Sequence, residues 1–159
     1  MIINKTSVLV AAAMKMGATI ANASEKEAVA IYNYGLNLGI AFQLQDDYLD
    51  AFGDPETFGK QVGGDILENK KTYLFLKALE LSDAQKKTEL LELFSDSVSK
   101  DKVSKVKHIF EESGASKETK KAIVSYTESA YNVLDSIGIS SDKKEMLKQF
   151  GTNLMNRNV

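Results

Sequence analysis

The sequence predicts an all-α protein, and two observations carry this prediction. Residues that favour helices (alanine, leucine, lysine and glutamate) are abundant in the 159-residue chain, which contains a single proline and no tryptophan. Apolar residues recur along most of the chain with the three-to-four-residue spacing of amphipathic helices. The sequence has no internal repeat, low-complexity tract or linker, so a single domain over residues 1–159 is expected.

Composition also excludes several classes of protein. A net charge of −2 argues against a nucleic-acid-binding surface. The absence of cysteine excludes disulfides and thiolate metal sites. No apolar run reaches the length of a transmembrane helix, and the N-terminus lacks the layout of a signal peptide. We therefore expect a soluble, cytoplasmic protein.

The first two helices are predicted from their capping residues. One helix is expected from Asn4, as its cap, to about Ala21. A long second helix is expected over residues 25–52, because Ser24 and Glu27 form a capping box at its start. This second helix carries the main candidate for a functional site.

A glycine-rich loop is expected over residues 56–65, before a third helix that opens at residues 69–72. The predicted buried face of the third helix consists of Tyr73, Leu74, Leu76 and Leu79. The later helices read as amphipathic scaffold, with boundaries expected at Ser82, Gly114, Ser116, Gly138 and Asp142.

One face of the second helix changes from apolar to acidic near its end. At about 100° per residue, Gln43, Asp46, Asp47 and Asp50 share an arc with the apolar face. Carboxylates one turn apart lie about 5–6 Å from each other. At an effective dielectric constant of about 20, such a pair repels by roughly 3 kcal/mol. Protonation, a basic neighbour or a divalent cation would relieve this repulsion, and Mg²⁺ with its oxygen ligands fits best. A solvated acidic face is the structural alternative.

Residues 42–50, Phe-Gln-Leu-Gln-Asp-Asp-Tyr-Leu-Asp, resemble the second aspartate-rich motif of the trans-type isoprenyl diphosphate synthases, the polyprenyl synthetase family. Three further segments resemble family motifs in the same order: Lys5-Thr6, Gly59-Lys60 with Gly64-Asp65, and the lysine segment 69–72. The resemblance is firm over residues 5–79. It implies an isoprenoid-synthase-type helical bundle around a central cleft.

The resemblance also implies a reaction and its participants. Magnesium would assist ionisation of an allylic diphosphate, and isopentenyl diphosphate would attack the resulting carbocation. By this resemblance Asp46 would bind Mg²⁺, and Asp47 and Asp50 would bind it directly or through water. Lys5 and Lys60 would bind the diphosphate, with Lys70 in support. Gln43 and Thr6 would lie near the allylic carbocation. Cations placed where the leaving group gains charge stabilise the transition state selectively.

One departure from the family pattern leaves two functions open. The first aspartate-rich motif is absent from the 45 residues that precede Asp46, so the chain resembles the C-terminal half of a synthase. The chain is then either part of a prenyltransferase, inactive alone, or a non-catalytic diphosphate-binding or regulatory subunit. A helical interaction module is a third reading, which leaves the acidic face unexplained. The family is typically homodimeric, and an oligomer is expected to cover apolar faces around Leu36 and Ile40.

Overall fold

The computed structural model describes residues 2–54, 62–95 and 101–156, and these form helices and turns without a strand among them. The all-α class is therefore confirmed over the described ranges. In chain order the helices are α1 (Val8–Ile20), which continues a π-helical turn at Ile3–Ser7, α2 (Glu25–Phe52), α3 (Gly64–Leu67), α4 (Tyr73–Leu81), α5 (Ala84–Ser95), α6 (Lys102–Glu112), α7 (Ala115–Asp135) and α8 (Ser141–Met155).

Helix α2 has the bounds that its sequence predicts, Glu25–Phe52. The predicted capping box is present: the Ser24 N–H donates to Glu27 Oε2 at 2.9 Å, and the Glu27 N–H donates to Ser24 Oγ at 3.3 Å. These bonds satisfy amide groups that lack partners within the first helical turn. Helix α2 is thus anchored at the end opposite its acidic residues.

Three other helix starts differ from the prediction. Asn4 lies inside the π turn and does not cap it. Asp83, and not Ser82, caps α5, because its carboxylate accepts the Lys86 N–H at 2.8 Å. Ser116 lies inside α7, which begins one residue earlier. These differences amount to a few residues, and helix ends are the part of a helix that sequence patterns predict least well.

The described residues form two compact units. The first unit comprises residues 2–44 and 122–156, and the second comprises residues 45–54, 62–95 and 101–121. The first has its own core of Tyr34, Leu38, Ala130, Leu134 and Ile137. The second has a core that includes Ala51, Ile66, Leu74, Phe75, Leu90, Val106 and Phe110. The single domain expected from the sequence stays a prediction.

The buried face of α4 is rotated from the predicted one. Leu74, Phe75 and Ala78 are buried, whereas Leu76 is 54% exposed. The pattern Tyr-Leu-Phe-Leu allows more than one apolar face, and contact with the second-unit core selects the face that contains Phe75. The prediction was wrong at Leu76.

The two most exposed of the large apolar side chains described lie on α1, and further exposed ones lie on other helices. Ile40 is only 8% exposed, so the expectation that its face awaits a covering partner is wrong at this residue. On α1, Leu9, Met16 and Ile20 are 76%, 63% and 80% exposed. Despite this apolar surface, no helix of the described ranges combines the length and hydrophobicity needed to cross a membrane.

Candidate functional site

The three acids at the end of α2 differ in accessibility. Asp47 is only 7% exposed, whereas Asp46 and Asp50, one helical turn apart, are half-buried. Asp46 and Asp50 therefore offer carboxylate oxygens that a ligand can reach. Asp47 is suited to an indirect role.

Asp50 fastens the end of α2 to the segment that contains α3. Its Oδ2 accepts the Asp65 N–H at 2.9 Å, and its backbone carbonyl accepts the Gly63 N–H at 2.6 Å. Gly63 adopts a left-handed conformation (φ 84°). A Cβ at Gly63 would lie 2.6 Å from Cγ1 of Val103, so only glycine fits there. The acidic end of α2 is thereby held in a fixed relation to α3.

Burial raises the pKa of Asp50 above its ordinary value, and the nearby Asp65 and Asp46 carboxylates raise it further. The hydrogen bond from the Asp65 amide works in the opposite direction but does not reverse the shift. The carboxylate is therefore a group whose negative charge a cation would stabilise.

Lys70 lies on the other side of Asp65. Its Nζ is 2.7 Å from Asp65 Oδ1 and 2.7 Å from Glu68 Oε2, and its side chain is 48% exposed. The hydrogen bonds to these two carboxylates hold the pKa of Lys70 well above its usual range. A half-exposed, permanently charged ammonium is thus joined to Asp50 through the backbone and side chain of Asp65.

A second group of predicted residues lies within the first unit. Thr6 Oγ1 donates to Gln43 Oε1 at 2.6 Å, and Gln43 is 4% exposed. The two helices approach closely at this point, since a Cβ at Gly39 would lie 2.7 Å from Ser7 Cα. Lys5, by contrast, is exposed at the start of the chain. The structure therefore pairs Thr6 with Gln43 and leaves Lys5 accessible to a ligand.

Two predictions about the site stay open. Lys60 and the adjacent Gly59 lie outside the described residues. Over residues 2–54, 62–95 and 101–156, no group of three or more histidine, cysteine, aspartate or glutamate side chains is arranged to hold a metal ion. Metal binding by Asp46, Asp47 and Asp50 therefore stays a prediction. A cation there would need further oxygen ligands, such as those of a phosphate group.

Sequence reasoning missed one buried cation in the second unit. Lys102 is 1% exposed, and its Nζ donates to Asn69 Oδ1 at 2.5 Å. A signal for it was present: Lys102 stands four and seven residues before Val106 and Ile109, in phase with the buried face of α6. A lysine at an apolar position of a helix is as informative as the acids on the apolar face of α2.

Fold and site together define an all-helical protein with an acidic helix end joined to a lysine-bearing segment. The sequence pattern of the polyprenyl synthetase family matches residues 1–113, and the chain belongs to this family. The short chain isoprenyl diphosphate synthase of Methanothermobacter thermautotrophicus is 37% identical over 150 residues, which are 94% of this chain and 42% of that protein. The geranylfarnesyl diphosphate synthase of Aeropyrum pernix is 32% identical over 144 residues, 90% of this chain and 44% of that protein.

Solved structures agree with this assignment. A crystal structure of a geranylgeranyl pyrophosphate synthase superposes with a TM-score of 0.90 at 52% identity, covering 98% of this chain and 49% of that one. The Corynebacterium glutamicum geranylgeranyl pyrophosphate synthase, complexed with isoprenyl diphosphate and magnesium, gives a TM-score of 0.86 at 31% identity, covering 96% and 44%. The expected isoprenoid-synthase-type fold is confirmed. The chain spans less than half the length of each of these relatives.

Proposed function

We propose that the chain supplies the second-motif half of a trans-isoprenyl diphosphate synthase site, which binds the diphosphate of an allylic substrate. The observation that carries this proposal is the hydrogen-bonded series Asp50–Asp65–Lys70. It joins an acid able to ligate a cation to an ammonium able to bind a phosphate. Membership of the polyprenyl synthetase family supports the same function.

In the proposed reaction, the C–O bond of the allylic diphosphate breaks and its electron pair leaves with the diphosphate. The double bond of isopentenyl diphosphate then forms a C–C bond to the allylic carbon, and a proton is lost. Lysine ammonium groups stabilise this reaction because the leaving oxygens gain negative charge in the transition state. Bound Mg²⁺ would supply the same electrostatic stabilisation.

The described residues fit these roles to different degrees. Asp46 and Asp50 are accessible oxygen donors suited to Mg²⁺, and the nearly buried Asp47 suits an indirect, water-mediated role. We assign diphosphate binding to Lys5 and Lys70, and to Lys60 by its motif. Lys70 is already paired with carboxylates, so it would bind a diphosphate by adding phosphate oxygens to its contacts or exchanging for them. Thr6 and Gln43, hydrogen-bonded to each other, would lie beside the allylic carbocation.

A non-catalytic diphosphate-binding or regulatory subunit is the second candidate function. It needs only the Asp50–Asp65–Lys70 series to bind a diphosphate and does not require the first aspartate-rich motif. The two functions share the diphosphate site and differ in turnover. Incubating the chain with an allylic diphosphate, isopentenyl diphosphate and Mg²⁺, first alone and then with the N-terminal half of a family synthase, separates them. Only a prenyltransferase half should form longer prenyl product once the other half is added.

We further propose a homo-oligomer, as is typical of the family, in which the apolar face of α1 formed by Leu9, Met16 and Ile20 is covered by another chain. A cytoplasmic location stays a prediction. Sedimentation of the chain with Leu9→Ser and Met16→Ser, beside the unsubstituted chain, tests the assembly. Unchanged association after both substitutions would refute the role of this face.

The site itself is tested by thermal unfolding with MgCl₂ and inorganic pyrophosphate. A ligand at about 100 times its Kd stabilises the folded state by about 2.7 kcal/mol. For a chain of this size, that is a rise in Tm of about 5–11 °C. Asp46→Asn should remove most of the rise, and Asp142→Asn, an exposed acid on α8, should retain it. An equal rise in the Asp46→Asn variant would contradict the assigned site.

A further inference from the structure

The ammonium of Lys102 is buried in the second unit at a cost that its surroundings must offset. The side chain is 1% exposed, and its Nζ lies 5.5 Å from the ring centroid of Phe94. Burying a charged group is costly unless it is paired and hydrogen-bonded. An apolar residue at this position would pack in phase with Val106 without that cost. The presence of lysine instead of an apolar residue therefore points to a role for the hydrogen bond that its ammonium donates.

Asn69, which accepts a hydrogen bond from Lys102, is a residue that determines the direction of the chain. Asn69 adopts a left-handed conformation (φ 55°) at the end of α3, where the chain turns toward α4. Its N–H donates to the Ile66 carbonyl at 3.1 Å, and its Oδ1 accepts from Lys102 Nζ. Left-handed backbone is unfavourable for a residue other than glycine and persists where surrounding contacts hold it. Lys102 supplies such a contact from another helix.

The residue that follows this turn is Lys70. Its N–H donates to the Asp65 carbonyl at 2.9 Å, and its Nζ bonds the Asp65 carboxylate at 2.7 Å. Asp65 in turn donates its N–H to Asp50 Oδ2. The conformation of Asn69 therefore determines where the Lys70 ammonium lies relative to the Asp50 carboxylate.

The start of α6 supports both ends of this segment. Val103, the residue after Lys102, occupies the space that a side chain at Gly63 would require. Gly63 donates its N–H to the Asp50 carbonyl at 2.6 Å. One turn of α6 thus fixes Gly63 by close packing and Asn69 by a hydrogen bond, at the two ends of residues 63–69.

We propose that Lys102 is a positioning residue, which acts through Asn69 to hold the 63–70 segment so that Lys70 and Asp50 form one diphosphate- and cation-binding surface. The effect of Lys102 on diphosphate binding rests on the proposed function. The effect of Lys102 on the conformation of residues 63–70 does not depend on that function. The competing explanation is that Lys102 only fills space in the core.

Two substitutions separate these explanations in the full chain. Lys102→Met keeps the length and packing of the side chain and removes the donor, while Asn69→Gly keeps the left-handed backbone and removes the acceptor. Each should speed amide hydrogen exchange over residues 63–70 by about tenfold or more. Each should weaken binding of Mg²⁺-pyrophosphate, measured by titration calorimetry, by about fivefold or more. Lys105→Met, an exposed lysine on the same helix, should change neither quantity.

The double variant tests whether the two residues act as one unit. Because each single substitution breaks the same hydrogen bond, Lys102→Met with Asn69→Gly should weaken binding no further than either alone. Normal exchange over residues 63–70 in Lys102→Met would overturn the proposal, as would additive losses in the double variant. If Lys102→Met does not fold, Asn69→Gly decides between the two explanations through the same exchange measurement. If the unsubstituted chain binds no pyrophosphate, the proposed function fails while exchange still tests the positioning role.

Discussion

The close approach of α1 and α2 at Gly39 gives a prediction whose magnitude follows from the coordinates. In Gly39→Ala the new methyl group would lie 2.7 Å from Ser7 Cα and 3.2 Å from Ser7 Cβ. The nearest atom belongs to the backbone, so no side-chain rotation relieves the clash. The natural control is Gly17→Ala on α1, where a Cβ has no atom within 4 Å.

Both substitutions gain the higher helix propensity of alanine, and only Gly39→Ala also introduces a steric clash. Alanine stabilises a helix interior by about 1 kcal/mol relative to glycine, so Gly17→Ala should raise the free energy of unfolding by about that amount. At Gly39 the same gain is opposed by overpacking, which costs about 1–3 kcal/mol. With a cost of about 2 kcal/mol, Gly39→Ala should destabilise the fold by about 1 kcal/mol. The variants should then differ by about 2 kcal/mol, or about 4–8 °C in Tm.

Thermal unfolding followed by circular dichroism measures this difference directly. The methyl group would also push the start of α1 away from α2, which lengthens the Thr6–Gln43 hydrogen bond near the proposed cation position. Gly39→Ala should therefore lower turnover of a complete synthase by more than its loss of stability accounts for. Equal stabilisation by both alanines would refute the close approach of the two helices and the overpacking expected from it.

Two further predictions concern single groups. Because burial raises the pKa of Asp50, the folded chain without metal binds this proton more tightly than the unfolded chain, and stability falls as pH rises from the ordinary aspartate value through the raised one. Asp50→Asn should flatten that fall and raise the Tm at pH 7 while abolishing the Mg²⁺-pyrophosphate response; a lower Tm at pH 7 would contradict the direction of the shift. The fully buried Tyr34 donates its hydroxyl to the Leu147 carbonyl at 2.7 Å, so Tyr34→Phe should cost about 1–2 kcal/mol in chemical denaturation. Tyr131→Phe, whose hydroxyl meets Thr152 at an exposed position, should cost less than about 0.5 kcal/mol, and equal losses would show that burial is not what matters.

Local signals explain what could be predicted from the sequence. The bounds of α2 depend on Ser24 and Glu27, which lie three residues apart and bond each other whatever the rest of the chain does. The start of α4 is local in the same way, because Thr72, the last residue of the expected opening segment 69–72, accepts the Phe75 N–H. Motif resemblance singled out the acids and the lysine segment along the chain, and the roles that it implies for them stay predictions.

Contacts between distant residues explain what could not be predicted. The burial of Phe75 in place of Leu76 depends on which helices pack against α4. The bond from the Asp65 amide to Asp50 spans 15 residues, and that between Lys102 and Asn69 spans 33. No periodicity of one helix encodes such pairs, so the electrostatic environment of the site emerges only from the fold.

The π-helical turn at Ile3–Ser7 has a consequence for how sequences of this family are compared. Such a turn contains about one residue more than an α-helical turn, so an inserted residue is accommodated while the helix continues. A homologue that is α-helical throughout this region would be one residue shorter, although both chains begin the same helix. Correct alignment then requires a gap within residues 3–7. An ungapped alignment would match Lys5 and Thr6 to residues about 100° away around the helix axis, and two equivalent lysine-threonine pairs would look unrelated.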